Sequence, residues 1–387
     1  MSAPQPPLQP AAAILGRTLG ADVRLSGARL LKGETRSLVW RCRVEGGASV
    51  ASVIIRQLRD DAATAYTDWA SLAFLTHRAR ATGVAPRFYG GDSEVGVFVM
   101  EDLGEGTNLE ALLDAGDAAT VEVALLHLAR QMARLHAATA GGEAAATFGA
   151  LRRALPAAEG AGRKAEAARW LAAGDRLQAW LDALALAPPA GLAACREALA
   201  ATFAAPGAFL AFTHGDPAPS NNHFRIGPDG RPEAAAILDF EYGAFRHALY
   251  DITAWTTLCP LPLPLVGAMR EAFRRELLQS TVEKKLAEAA ADEATFAVAW
   301  ANLVAFRALA IVTWIPPAVL EENRPWAPGW SSREALLGAL LRLQREAGAF
   351  AHLAPAVAYA RTVSTALRRR WPAYDQDDLH PPWPALR

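Results

Sequence analysis

Cysteine is scarce. Cys42, Cys195 and Cys259 are far apart and odd in number. Their spacing gives no metal pattern and no disulfide framework, so small buried thiols in a reducing compartment are expected. An excess of either charge is also lacking, with Lys+Arg at 39 and Asp+Glu at 40. That balance gives no electrostatic reason to expect a nucleic-acid or membrane partner. No uncharged apolar run approaches the ~18 residues of a membrane span. The nearest, residues 303–319, is interrupted by Arg307, Pro316 and Pro317. Residues 1–10 carry neither a basic region nor a long apolar core, so no secretory signal is expected there. A cytoplasmic protein is the expectation.

Apolar residues are plentiful at 52%, with alanine foremost, which favours a helix-rich soluble chain. Its 387 residues suffice for two or so lobes, each with its own core. The rest of the chain is organised around residues 209–243. An apolar run, 209–212, stops at His214-Gly215-Asp216, and Pro217 and Pro219 then rule out a helix. Asn221 follows Asp216 by five residues. Short apolar segments flank Pro228-Asp229-Gly230 and predict a hairpin that delivers Asp239 at the end of its second strand. One carboxylate and one amide on a stiff loop, joined by a second carboxylate, suit phosphoryl transfer. Such a site needs a carboxylate to orient the attacking hydroxyl and oxygen ligands for a magnesium ion that bridges the phosphates.

Upstream, residues 29–44 read as strand, polar turn, strand, and 50–55 as a β-branched third strand. Residues 62–82 carry Trp69, Leu72 and Leu75 at helical spacing, and 95–100 gives a further strand. Residues 118–138 place Leu125, Leu128, Met132 and Leu135 on one helical stripe. Ala-rich helices broken at Pro188-Pro189 fill 155–205, and four or so helices fill the remainder to Arg387. Residues 1–13 read as a disordered Pro/Ala tail.

His-Gly-Asp-x-x-x-x-Asn followed by Asp-Phe-Glu resembles the catalytic and metal loops of the aminoglycoside phosphotransferase and choline kinase superfamily, small-molecule kinases with a protein-kinase-like fold. The resemblance covers roughly residues 28–260. It implies a bilobal α+β fold, with a small antiparallel-sheet lobe at 14–103 and a large helical lobe at 104–387 that carries the catalytic hairpin. It further implies ATP and Mg2+ as cofactors and a small-molecule hydroxyl as acceptor.

On this resemblance Asp216 is the catalytic base, Asn221 and Asp239 are the metal ligands, and His214 braces the loop. The turn at 32–37, with Gly33, Thr35 and Ser37, resembles the phosphate-covering loop. Arg56 stands where many kinases have a lysine, and its helix partner is Asp68 in place of the usual glutamate; a guanidinium still grips phosphate. Met100, Glu101 and Leu103 match the hinge, where edge-strand backbone binds the purine. Asp251 matches a residue that brace the catalytic loop in the family, His136 a packed histidine. Glu241 fits either a partner of the metal or a solvated acid.

A protein kinase is disfavoured, because His-Gly-Asp replaces a His-Arg-Asp loop and no Ala-Pro-Glu segment follows. A nucleotide-binding regulator that no longer catalyses is the rival that Arg56 and Asp68 motivate. The acceptor region, residues 252–387, holds 13 Asp+Glu and 15 Lys+Arg. That excess of base favours a neutral or monocationic acceptor over a polycationic aminoglycoside. Trp326 and Trp330, in a Pro/Gly-broken loop, are candidate wall residues, whereas Trp300 and Trp314 read as core.

Overall fold

The computed structural model describes residues 5–33, 37–46, 49–59, 63–156, 162–258, 261–327, 330–374 and 383–386. In order, the chain forms α1 (Leu8–Leu19), β1 (Arg24–Gly33), β2 (Ser37–Glu45), β3 (Ser52–Leu58), α2 (Ala63–Arg78), β4 (Phe88–Asp92) and β5 (Val97–Glu101). Next come α3 (Leu109–Ala115), α4 (Ala118–Ala138), α5 (Gly142–Arg153), α6 (Arg163–Ala172), α7 (Gly174–Ala183) and α8 (Leu192–Ala204). Four short strands follow: β6 (Leu210–Thr213), β7 (Asn222–Ile226), β8 (Pro232–Ile237) and β9 (Ala244–His247). The C-terminal helices are α9 (Ala254–Thr257), α10 (Leu263–Ser280), α11 (Lys284–Ala291), α12 (Glu293–Trp314), α13 (Ser332–Ala347) and α14 (Ala354–Arg370). An antiparallel sheet followed by mainly helix is the α+β class that the resemblance implied.

Two compact units share the chain. The first comprises residues 1–108, 142–160 and 214–243, the second 109–141, 161–213 and 244–387. This differs from the division expected at 103/104, because the catalytic hairpin groups with the sheet. Backbone bonds are the reason. Thr107 exchanges both amide–carbonyl bonds with Phe224 on β7, at 3.0 and 2.7 Å, and the Ile237 amide donates to the Val84 carbonyl at 2.8 Å.

The first unit is built on a five-stranded antiparallel sheet of order β1-β2-β3-β5-β4. One core gathers Trp40, Val53, Ile55, Tyr89, Val97 and Val99 of the sheet with Ala11, Ile14 and Leu15 of α1. The helix α1 therefore corrects the expectation of a disordered tail at residues 8–13, while residues 1–4 of that expected tail lie outside the described residues. Its apolar residues recur at helical spacing, and Gly20 closes it at a φ of +65° with its amide on the Gly16 carbonyl. Aromatic contacts tie α2 to the sheet, with Trp69 6.0 Å from Phe88 and 5.6 Å from Phe98 between ring centroids. Gly91 permits this approach, since a β-carbon there would lie 2.1 Å from the Trp69 ring.

In the second unit α4 packs against α10, and α12 runs between α8 and α13. Asp117 caps α4 by accepting the Thr120 amide at 3.0 Å, and a Ser331/Glu334 capping box opens α13. By length and composition α12 is apolar enough to cross a membrane, yet 78% of its apolar window is buried. It is the core helix of this unit. Two aromatic expectations reverse here: Trp330 is 5% exposed, whereas Trp314 is 49% exposed. Trp330 lies in the ladder of 325–327 with 330–331 that leads into α13, and Trp314 is the last residue of α12. Trp326 is half-buried.

Candidate active site

The β7–β8 hairpin sets the site. Its register pairs Asn222 with Ile237, and one step further the Leu238 amide donates to the Asn221 carbonyl at 3.0 Å. Asn221 and Asp239 thus flank the open end of one hairpin. The Asn221 Nδ2 donates to the Asp216 carbonyl at 3.0 Å and approaches Asp216 Oδ2 at 3.5 Å. A turn fixes the loop between them, with the Asn221 amide on the Ala218 carbonyl at 2.9 Å. The three expected residues are brought into one loop system, and each is half-buried.

His214 links the two halves of that system. It is fully buried, and its Nδ1 accepts the Asp216 amide at 3.2 Å. The ring proton therefore sits on Nε2, which donates to the Leu238 carbonyl at 2.7 Å. Phe240 packs edge-on against the ring at 4.9 Å. Gly215 at a φ of +91° lets the chain turn sharply between His214 and Asp216.

Arg56 and Asp68 meet as the sequence reading required. Arg56 on β3 is 7% exposed and donates from Nη1 to Asp68 Oδ2 at 2.5 Å and to Asp239 Oδ1 at 3.1 Å. Burial alone would lower its pKa, but Asp68 and Asp239 outweigh burial, and the net shift is upward. The other Asp68 oxygen accepts the Phe240 amide at 2.8 Å. One buried carboxylate on α2 therefore holds both the cation and the backbone beside Asp239.

Other expected residues fall differently. Thr35 lies outside the described residues. Gly33 ends β1 and pairs with Leu38. Ser37, expected to face phosphate, is buried and its hydroxyl accepts from Arg56 Nε at 3.1 Å. The hinge strand β5 lies between β3 and β4 and is not an edge. Met100 is paired to Ile54 and Phe88 across the sheet. Glu101 gives its amide to the Arg87 carbonyl at 2.8 Å, and its Oε2 accepts the Arg87 amide at 3.0 Å. The chain leaves the ladder only past Glu101, at Asp102 and Leu103. There Arg41 holds it by donating to Asp102 Oδ1 at 2.8 Å and to the Gly104 carbonyl at 2.9 Å. In the second unit His136 Nε2 lies 3.2 Å from Asp251 Oδ2, both fully buried, so the expected packed histidine pairs with the residue expected to brace the catalytic loop.

Sequence reasoning missed two features. Lys32, read only as part of a turn, brings its Nζ to 3.9 Å from Asp239 Oδ2. Asp239 itself has a φ of +63°, which no motif announces, although aspartate tolerates this region better than most residues.

The donor set suits a hard cation. Asp239 offers a carboxylate, and Asn221 commits its amide nitrogen to Asp216, leaving oxygen as its donor to a metal. Among the described residues no group of three His, Cys, Asp or Glu side chains forms a cage. Magnesium is commonly held by one or two protein oxygens, with phosphates and water completing the shell. The residues fit that pattern.

Solved structures similar to this chain include an ethanolamine kinase from Plasmodium vivax, 13% identical, covering 91% of this chain and 83% of that one at a TM-score of 0.44. A macrolide 2'-phosphotransferase from Brachybacterium faecium is 18% identical, with 89% and 96% covered and a TM-score of 0.44. A choline kinase from Streptococcus pneumoniae is 13% identical, with 87% and 94% covered and a TM-score of 0.40. No curated protein matches the sequence. A family model described as "Phosphotransferase enzyme family" matches residues 28–288.

Proposed function

The chain belongs to the phosphotransferase enzyme family, and on that premise we propose that it moves the γ-phosphate of ATP to a hydroxyl of a small molecule. One observation carries this reading: a single hairpin and its loop hold Asp216, Asn221 and Asp239 together, beside the buried Arg56–Asp68 pair. In this reading Asp216 orients the acceptor hydroxyl and takes its proton. The acceptor oxygen bonds to phosphorus as the bridging oxygen of ATP departs with ADP. Arg56, with Lys32 nearby, supplies positive charge toward the phosphates that are not transferred. The backbone past Glu101 meets the purine. Asn221 and Asp239 would hold Mg2+, whose chemistry is to neutralise charge on the phosphoryl oxygens.

The acceptor we favour is neutral or monocationic, such as a sugar, an amino alcohol or a macrocycle. Several ammonium groups would have to be desolvated against carboxylates, and residues 252–387 carry more base than acid. We place the activity in the cytoplasm, a setting that suits the buried free thiols Cys42 and Cys195. A panel of hydroxyl-bearing metabolites and antibiotics, incubated with Mg·ATP and read by mass, tests both claims. A phosphorylated alcohol formed one-to-one with ADP is expected. Phosphorylation of kanamycin-type substrates with neutral alcohols inert would overturn the acceptor reading, and no phosphorylated product from any class would overturn the reaction.

A further inference from the structure

In the helical unit a cavity of about 290 Å³ opens among α6, α12 and the segment around Tyr250. Trp170, Tyr250, Phe306 and Trp314 give it aromatic walls. On the lining, Arg307 is 3% exposed. Its Nε donates to the Tyr250 carbonyl at 2.6 Å, and its guanidinium carbon lies 3.7 Å from the centroid of the Tyr250 ring. Its Nη2 is buried and has no hydrogen-bond partner among the described residues.

Among the described residues no acid answers it. Glu166, the acid of the lining, accepts from Arg246 Nε at 2.7 Å and from the Tyr250 hydroxyl at 3.2 Å. Arg176 gives Nη1 to the Thr313 carbonyl at 3.0 Å, and Arg169 completes the charged lining. Three arginines against one glutamate leave two net positive charges around an aromatic-walled space.

We propose that this cavity binds a small molecule with an anionic head, carboxylate or phosphate, on a flat apolar body. The head answers the excess positive charge of the lining, to which Arg307 belongs, and the body lies against the aromatic walls, where ring contacts add to area burial. The neutral or monocationic acceptor of the transfer reaction does not match this chemistry, so the ligand is a second one. Its binding is testable whether or not the chain transfers phosphate.

Calorimetric titration of the full chain supplies the test, with 2-naphthoate and 2-naphthyl phosphate as probes, 2-naphthamide as neutral isostere and inorganic phosphate alone. Saturable one-to-one binding of at least one anion is expected, with the amide about tenfold weaker or more, the scale of one charge-assisted contact. The tighter of the two anions identifies the head group. Arg307→Met should lower that affinity by a similar factor, with a thermal melt to confirm folding. Trp314→Ala, at an exposed position, should weaken binding several-fold and decides the matter, together with the amide, should Arg307→Met not fold. Equal binding of amide and acid, no saturable binding of either anion, binding of inorganic phosphate as tight as that of the probes, or an unchanged affinity in Trp314→Ala would each overturn the proposal.

Discussion

At Asp239 three constraints meet in one residue: a left-handed backbone, a contact to buried Arg56 and a side chain still 25% exposed. A carboxylate held this way has one oxygen on protein and an edge toward solvent, as a metal ligand needs. Asp239→Asn keeps a residue that tolerates the positive φ and removes the charge. Mg·ATP should raise the melting temperature of the parent, by the mass action of a ligand that binds only the folded state. In Asp239→Asn most of that gain should vanish; an unchanged gain would remove Asp239 from the metal site. Arg56→Ala should behave differently, because it strands Asp68 in the core. A loss of about 3–5 kcal/mol in unfolding free energy is expected, the scale for breaking a buried pair from one side. Chemical denaturation measures it.

This pair shows what was legible residue by residue. Arg56 and Asp68 could be matched by motif position, and Asp216, Asn221 and Asp239 by spacing. The approach of Lys32 to Asp239 and the burial of Ser37 against Arg56 could not be read, because both depend on how β1 and β2 register against β3. Trp314 and Trp330 exchanged their expected exposures for a similar reason: each lies at an element boundary, where periodicity stops informing.

Among elements, the β7–β8 hairpin was readable from its turn, while α1 was not. Proline and alanine hid a stripe of Ala11, Ile14 and Leu15 that the sheet buries completely or nearly so. If α1 is part of that core, Leu15→Ala should cost about 2–5 kcal/mol, as large-to-small core changes do. A denaturation midpoint equal to the parent's would mean that α1 contributes nothing to that core.

On β9, His247 makes a pH-dependent contribution. Burial, reinforced by the neighbouring charge of His136, drives its imidazole from 6.5 down to about 3. Its Nδ1 accepts the Leu249 amide at 3.2 Å, and Phe209 stacks on the ring at 4.6 Å. The folded state refuses a proton that the unfolded chain accepts once pH drops below about 6.5. Stability from this group is therefore present above that pH and is lost as pH falls from about 6.5 toward about 3, at up to about 1.4 kcal/mol per unit. Urea unfolding of His247→Gln between pH 7 and pH 4 should show a shallower slope than the parent by that amount. Equal slopes would mean that the imidazole titrates normally.

Across the whole molecule, chain order and contact order differ. The helical residues 109–141 intervene between the sheet and α5, and 161–213 precede the catalytic loop, yet α5 and that loop group with the sheet. A boundary drawn along the sequence at 103/104 misses this, since the bonds Thr107–Phe224 and Val84–Ile237 span more than a hundred residues. The sheet, the helical remainder and the carboxylate loop were legible from local pattern; their grouping was not.

The most direct test of the account is the Asp216→Asn variant, followed for turnover and for Mg·ATP affinity with whichever acceptor the panel yields. The side chain keeps its size and loses only its charge and basicity. Turnover should fall by roughly 100-fold or more, the scale of a general base, while nucleotide affinity stays within about twofold of the parent. A variant that retains most of its turnover would contradict the assignment of Asp216, and with it the reading of this loop as the seat of phosphoryl transfer.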